Sequence, residues 1–506
     1  MPLQPEGCAP AERRQCLGAP HRLFCLREGK VRRKLAPMNS WRWRVLWALL
    51  VTGVAGPLLA ADQPLWKAGT SRANITPAAP LWMAGYASRT NPADGKVMDL
   101  WIKALALEDA GGHRAVILAG DLLGFPQSIY EHTCAALKEK FALEPDQILL
   151  AASHTHCGPV LRGALLDIYP LDQNQIGLIE SYSADLEARI IQTVGQALSN
   201  LAPARVAAGQ GACGFAVNRR NNPEADVPRR IAQAALKGPV DHSVPVLAVY
   251  QPDGNLRAVL FGYACHNTTM DFYKWCGDYA GFAQLALERS HPAATAMFFM
   301  GCGADQNPIP RRRLEFAERF GGMLAAAVEE VLLLPPHVLA PELKTAMSMV
   351  TLHLGPPPTE AELAKLTSDK LPMVRRWAVR VLADVEAGRP LLRSYPLPVQ
   401  AWQLGGEQLL ITLGGEPVVD WALKFKQEFG PHTWVAGYCN DVMNYIPTLR
   451  ILKEDVPREG QGLGGYEGAV ATIVYGLPAF RWANDVEDLV NEGAKGVVAK
   501  LKEPEK

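Results

Sequence analysis

The sequence predicts an α/β fold, a mixed sheet flanked by helices, from about residue 62 onward. Two observations carry that reading: short apolar runs alternate with longer helical segments, and several of those runs end in polar residues of catalytic type. "AGTSRANITP" and "LWIKALALED" read as strands, the second closed by the turn "DAGG". Strand "RAVILAGD", helix "PQSIYEHTCAALKEKF" and strand "QILLAASHTH" then follow in order, which is the strand–helix–strand pattern of α/β proteins. A helix over 176–199 precedes the strand-like "ARVAAGQGACGFAVNRR". "VPVLAVYQPDGNLRAVLFGYACH" reads as a strand pair turning at Pro-Asp-Gly.

After "TAMFFMGCGADQNP" and a helix to about Leu334 comes a proline-rich connection around 335–342. A charged helical excursion is predicted over 359–387, started by "PTEAE". Strand "VQAWQLGGEQLLITLGGEP", helix "VVDWALKFKQEF", strand "HTWVAGYCN" and a helix over 480–501 complete the pattern. No repeat or low-complexity segment interrupts it, so residues 62–506 read as one domain.

The chain has 506 residues, 48% of them hydrophobic, enough for a large core. Lys+Arg and Asp+Glu are both 51, and this lack of a basic excess argues against nucleic acid as a partner. Residues 38–61, "MNSWRWRVLWALLVTGVAGPLLAA", order basic, apolar and small residues as a secretory signal peptide does, with cleavage near Ala61. A transmembrane anchor is the alternative, but Gly53, Gly56 and Pro57 interrupt a stretch already short for a span. Residues 1–37 read as an upstream extension with Met38 as the start, and the product is expected to be periplasmic or secreted. Seven cysteines follow the leader (Cys134, Cys157, Cys213, Cys265, Cys276, Cys302, Cys439), an odd number that leaves at least one without an intramolecular partner.

The chemistry is expected at the strand ends. His154 and His156 close an apolar run, and on a strand residues i and i+2 share a face. His266 ends "FGYACH", Glu416 sits in a Gly-Gly turn after "LLITL", and Asn440 and Tyr445 follow "HTWVAGYC". Open α/β sheets bind ligands beyond the carboxyl ends of their strands. Imidazoles with a carboxylate make an N/O donor set that suits catalytic zinc, although hydrogen-bonded structural histidines satisfy the same spacing.

The ordered segments "AGTSRANITP", "MAGY", "SHTHCGP", "NRR", "GYACHNTTM", "GDYAGFA", "GGEP", "NYIPT" and "GGYEGA" resemble the neutral/alkaline non-lysosomal ceramidases. The resemblance implies a ceramidase-like catalytic domain with Zn2+ on His154, His266, Glu416 and Tyr445. It assigns His156, Arg219 and Tyr466 to the substrate side. It implies an exported hydrolase that cleaves an N-acyl bond of ceramide or a related lipid-like amide with zinc-activated water. An ester hydrolase, or a non-catalytic metal-containing binding protein, are the alternatives. Transient contact with a membrane surface is expected, and no obligate protein partner. Two departures stand out. The family's proposed reactive serine lies in Gly-Asp-Val-Ser-Pro-Asn, where "GCGADQNP" has none, and Asp305 is expected to serve beside the reacting water. With a single helix after the motif region, the family's C-terminal immunoglobulin-like domain is not expected in this chain.

Overall fold

The strand runs are apolar at consecutive positions, so each must be covered on two faces. In the computed structural model, which describes residues 65–456 and 463–503, two stacked sheets and two helical layers supply that cover. The leader at 38–61 and the start at Met38 lie outside the described residues. Strands β1 (Trp66–Asn74), β2 (Trp101–Glu108), β3 (Arg114–Gly120), β4 (Ile148–Ala152), β5 (Ala202–Ala212), β6 (Ser243–Tyr250), β7 (Leu256–Tyr263), β8 (Thr295–Met300) and the short β9 (His337–Val338) form a nine-stranded sheet. Its order is β8-β7-β6-β5-β1-β2-β3-β4, with β9 also on β5. A four-stranded sheet follows in the order β10 (Leu343–His353), β11 (Ser394–Leu404), β12 (Gln408–Leu413) and β13 (Trp434–Ala436).

Alternate residues sort the faces. Ile102, Ala104, Val116, Leu118, Ile148 and Leu150 pack under helices α1 (Gln127–Phe141), α2 (Gln173–Ser199), α3 (Asp278–Ser290) and α4 (Leu314–Leu333). Leu105, Leu107, Ile117 and Leu149 point the other way, onto Trp402, Leu404, Leu410 and Trp434 of the second sheet. Helices α5 (Glu360–Leu366) and α6 (Pro372–Glu386) form the excursion, whose Leu363, Val374 and Trp377 make a small core with Ile473. The Thr359–Glu362 capping box opens α5, as "PTEAE" signals. The outer face of the second sheet (Leu397, Val399, Ile411) is closed by α7 (Val419–Phe429) and α8 (Val486–Lys500). The class is the α/β arrangement expected, but the layers run helix, sheet, sheet, helix rather than around a single sheet. Among the described residues no helix is long and apolar enough to cross a membrane, and all seven cysteines there are free and buried.

Within these two sheets three strand pairs are parallel: β3 with β4, β7 with β8, and β12 with β13. Each is a strand–helix–strand unit, crossing over through α1, α3 and α7 respectively. Their carboxyl ends meet where isolated bridges join Ala151 to Cys439 and Gly301 to Ala436. The polar residues that the sequence places after strands therefore collect in one region.

Asp441, in the turn after β13, carries a pH-dependent part of the stability. It is 2% exposed, one oxygen accepts the Tyr395 hydroxyl at 2.9 Å, and its Oδ1 has no partner. Burial pushes the carboxyl up to about 7, against about 3.9 in an unfolded chain. The folded state thus holds the extra proton, so stability is lost as pH rises through 7. Asp441→Asn is expected to shrink the loss of stability between pH 4 and pH 8. Urea unfolding at both pH values checks this, and an unchanged difference contradicts it.

Candidate active site

β4 ends at Ala152, short of the histidines, and His154 takes a left-handed backbone (φ 59°). Strand alternation therefore does not align His154 with His156. A turn does, bringing their Nε2 atoms to 3.1 Å. His266 follows β7, and its N–H donates to the Gln306 carbonyl at 3.0 Å. Glu416 follows β12 through Gly415 at φ 67°, where a Cβ would come within 2.6 Å of the Asn444 carbonyl, so the Gly-Gly turn is required. A two-residue parallel ladder then sets Glu416 opposite Tyr445.

The proton positions define the site. His154 Nδ1 lies 2.7 Å from the Leu123 carbonyl and His266 Nδ1 lies 2.8 Å from the Gly303 carbonyl. A carbonyl only accepts, so both rings carry their proton on Nδ1 and turn the Nε2 lone pair inward. Both Nε2 atoms face the same oxygen, Glu416 Oε2, at 3.3 Å. The Tyr475 hydroxyl donates to the other oxygen at 2.5 Å, while Oε2 has no hydrogen-bond donor. Tyr445 OH lies 3.2 Å from His266 Nε2. Burial pushes His266 down to about 4, and burial followed by the neighbouring His154 and His266 pushes His156 well below its ordinary value. Burial also opposes charge on Glu416, but the facing imidazoles outweigh it and hold the carboxyl well below the usual range. The result is a buried carboxylate oxygen against two lone pairs with no proton between them.

That arrangement fits a cation. His154, His156 and His266 offer nitrogens within 4.8 Å of one another. Separations of 3.2 to 3.3 Å among donors of His154, His266, Glu416 and Tyr445 come close to the edge of roughly 3.3–3.4 Å of a tetrahedron with ~2.05 Å zinc bonds. Nδ1–H bonded to a carbonyl is the usual orientation of a metal-bound imidazole.

The remaining expected residues divide. His156 rests against Tyr86 (ring centroids 4.7 Å) and Gly85, where a Cβ would lie 2.3 Å from its Nδ1. Arg219 Nε donates to Glu467 at 2.9 Å and Nη2 to Tyr445 OH at 3.2 Å, with the guanidinium 5.6 Å from the Tyr466 ring. Tyr466 is 39% exposed, opens a turn of π-helix and meets Tyr445 edge-on at 5.2 Å. Asp305 Oδ1 accepts the Val419 N–H at the start of α7 and its Oδ2 accepts Asn218 Nδ2, so both of its oxygens hold neighbouring segments. Asn440 likewise serves the frame, accepting Leu150 N–H and donating to Gln400. Glu467, Tyr475 and the carbonyls of Leu123 and Gly303 escaped sequence reasoning. Glu467 sits inside "YEGA" and was within reach, whereas nothing local marks Tyr475.

A family model, "Neutral/alkaline non-lysosomal ceramidase, N-terminal", matches residues 66–307. The neutral ceramidase of Pseudomonas aeruginosa is 26% identical over 236 residues, 45% of this chain and 33% of that protein. The match thus spans about a third of that relative's length. The crystal structure of neutral ceramidase from Pseudomonas aeruginosa superposes with a TM-score of 0.63 at 20% identity, covering 88% of this chain and 76% of that one. A ceramidase structure complexed with C2 gives 0.62 at 19% identity, covering 87% and 76%. At these identities the two structures attest the fold. Over residues 66–307, just under half of its length, the chain is thus similar to the N-terminal domain of the neutral/alkaline non-lysosomal ceramidases, and its fold over most of its length is that of a neutral ceramidase.

Proposed function

We propose that the chain is a zinc-dependent hydrolase that cleaves the N-acyl amide bond of ceramide or a related lipid-like substrate. The observation that carries this reading is Glu416 Oε2, buried and facing the Nε2 lone pairs of His154 and His266 at 3.3 Å without a proton to share. Those three residues with Tyr445 would hold the ion. Bound there, zinc would polarise the acyl oxygen and make water nucleophilic at neutral pH.

The chain's own groups do the rest. His156, kept neutral by burial, can accept the proton that the reacting water loses and then release it to the departing amine. Arg219 orients the Tyr445 hydroxyl, and Glu467 balances its charge. Tyr466, at the exposed edge, offers a phenol to the developing oxyanion. Gln306 occupies the stretch where the family carries serine and binds the Ala264 carbonyl at 2.7 Å, so the reading uses water rather than a side-chain nucleophile. The leader-like stretch at 38–61 supports export to the periplasm or beyond.

Elemental analysis of protein purified without chelator is expected to find about one zinc per chain. His266→Ala is expected to lose most of it, together with turnover of N-acylsphingosine. A folded, metal-free protein that still hydrolyses the amide contradicts the reading; zinc-loaded protein active on esters alone contradicts the choice of bond.

Gly85→Ala separates His156 from the metal-holding set. The added Cβ must displace the His156 ring, and the φ of 102° adds strain of about 1–3 kcal/mol. Turnover is expected to fall on the order of 100-fold with zinc content unchanged. Loss of zinc alongside activity would make His156 a ligand instead.

A further inference from the structure

The histidines of the site sit on two largely irregular segments, 153–157 and 265–270, paired only by a single parallel bridge between Thr155 and Asn267. We infer that Asn267 is the positioning residue that fixes the separation of His154 from His266, by tying both segments to the first turn of α3; the inference rests on the metal reading above. Asn267 is fully buried. Its Nδ2 donates to the Ser153 carbonyl, one residue before His154. Its Oδ1 accepts the Ala280 N–H at 3.2 Å. Its own carbonyl accepts the His156 N–H at 3.3 Å. One residue thus touches both histidine segments and the helix.

The helix can serve as anchor because its first N–H groups lack partners within the helix. Ala280 is the third residue of α3, so its N–H is free for Asn267. Neighbouring bonds grip the same segments. Asp278 Oδ2 accepts Met270 N–H at 2.9 Å, the Tyr279 hydroxyl donates to the Cys265 carbonyl, and Thr155 Oγ1 donates to the Cys276 carbonyl at 2.7 Å. Asn267 spans the gap through its side chain, and it needs an amide. An aspartate would set a carboxylate oxygen against the Ser153 carbonyl, and an alanine would leave a buried N–H and a buried carbonyl without partners.

The test uses Co2+ alone, added to the metal-free full chain and to its Asn267→Asp and Asn267→Ala variants, with the visible absorption of the bound ion as readout. Both variants are expected to bind Co2+ roughly 10–100-fold more weakly than the unaltered protein, with a changed band shape. Wild-type affinity and band shape in folded variants overturn the inference while leaving the metal reading intact. Failure of the unaltered protein to bind Co2+ overturns the metal reading and this inference with it. A purely structural role would lower the unfolding temperature and leave the band of the folded fraction unaltered, which also counts against the inference. Should neither variant fold, hydrogen exchange on the unaltered protein decides. Zn2+ is expected to slow exchange in 153–157, 265–270 and the first turn of α3 together, and slowing that omits the α3 turn overturns the inference.

Discussion

A buried carboxylate oxygen facing two imidazole lone pairs is costly unless a cation or proton lies between them. In this chain the protons are committed elsewhere. The carbonyls of Leu123 and Gly303 take the Nδ1 protons of His154 and His266, and the Tyr475 hydroxyl serves only the far oxygen of Glu416. Much of the surrounding structure keeps those assignments in place. Gly415 lets Glu416 turn inward, Asp305 fastens Val419 three residues further on, and Arg219 donates to the Tyr445 hydroxyl.

The fold makes this convergence possible through three parallel strand pairs in otherwise antiparallel sheets. A parallel pair requires a crossover, and its strands deliver their carboxyl ends to the same edge. Two such pairs lie in the large sheet and one in the small sheet, and stacking the sheets brings the three edges together. His154, His266 and Glu416 each follow a strand of a different pair. The site therefore depends on how the two sheets pack, and Trp402 and Trp434, buried between them, bear on it at a distance.

The strand–helix alternation, the capping box at Thr359 and the strand-end placement of His154, His266, Glu416 and Tyr445 were legible because each is a local pattern. The second sheet was not. Its inner face meets another apolar face, so both sides of each strand read as hydrophobic, and nothing local distinguishes cover by a helix from cover by a sheet. The juxtaposition of His154 and His156 was legible, but its cause was misjudged: the strand stops at Ala152 and a left-handed residue turns the rings together. Asp305 follows a strand as the histidines do, and its bonds to Asn218 and Val419 join partners too distant in sequence for any local pattern to announce. Tyr475 lay beyond sequence reasoning because its partner is 59 residues away.

The central claim is that the His154, His266, Glu416 and Tyr445 donors surround a metal ion rather than a shared proton. Diffraction from a crystal of the purified protein, collected on both sides of the zinc absorption edge, tests it most directly. The account expects one anomalous peak bounded by the two Nε2 atoms, Glu416 Oε2 and the Tyr445 oxygen. Well-ordered side chains at those positions with no anomalous peak among them, at full occupancy of the fold, would contradict it.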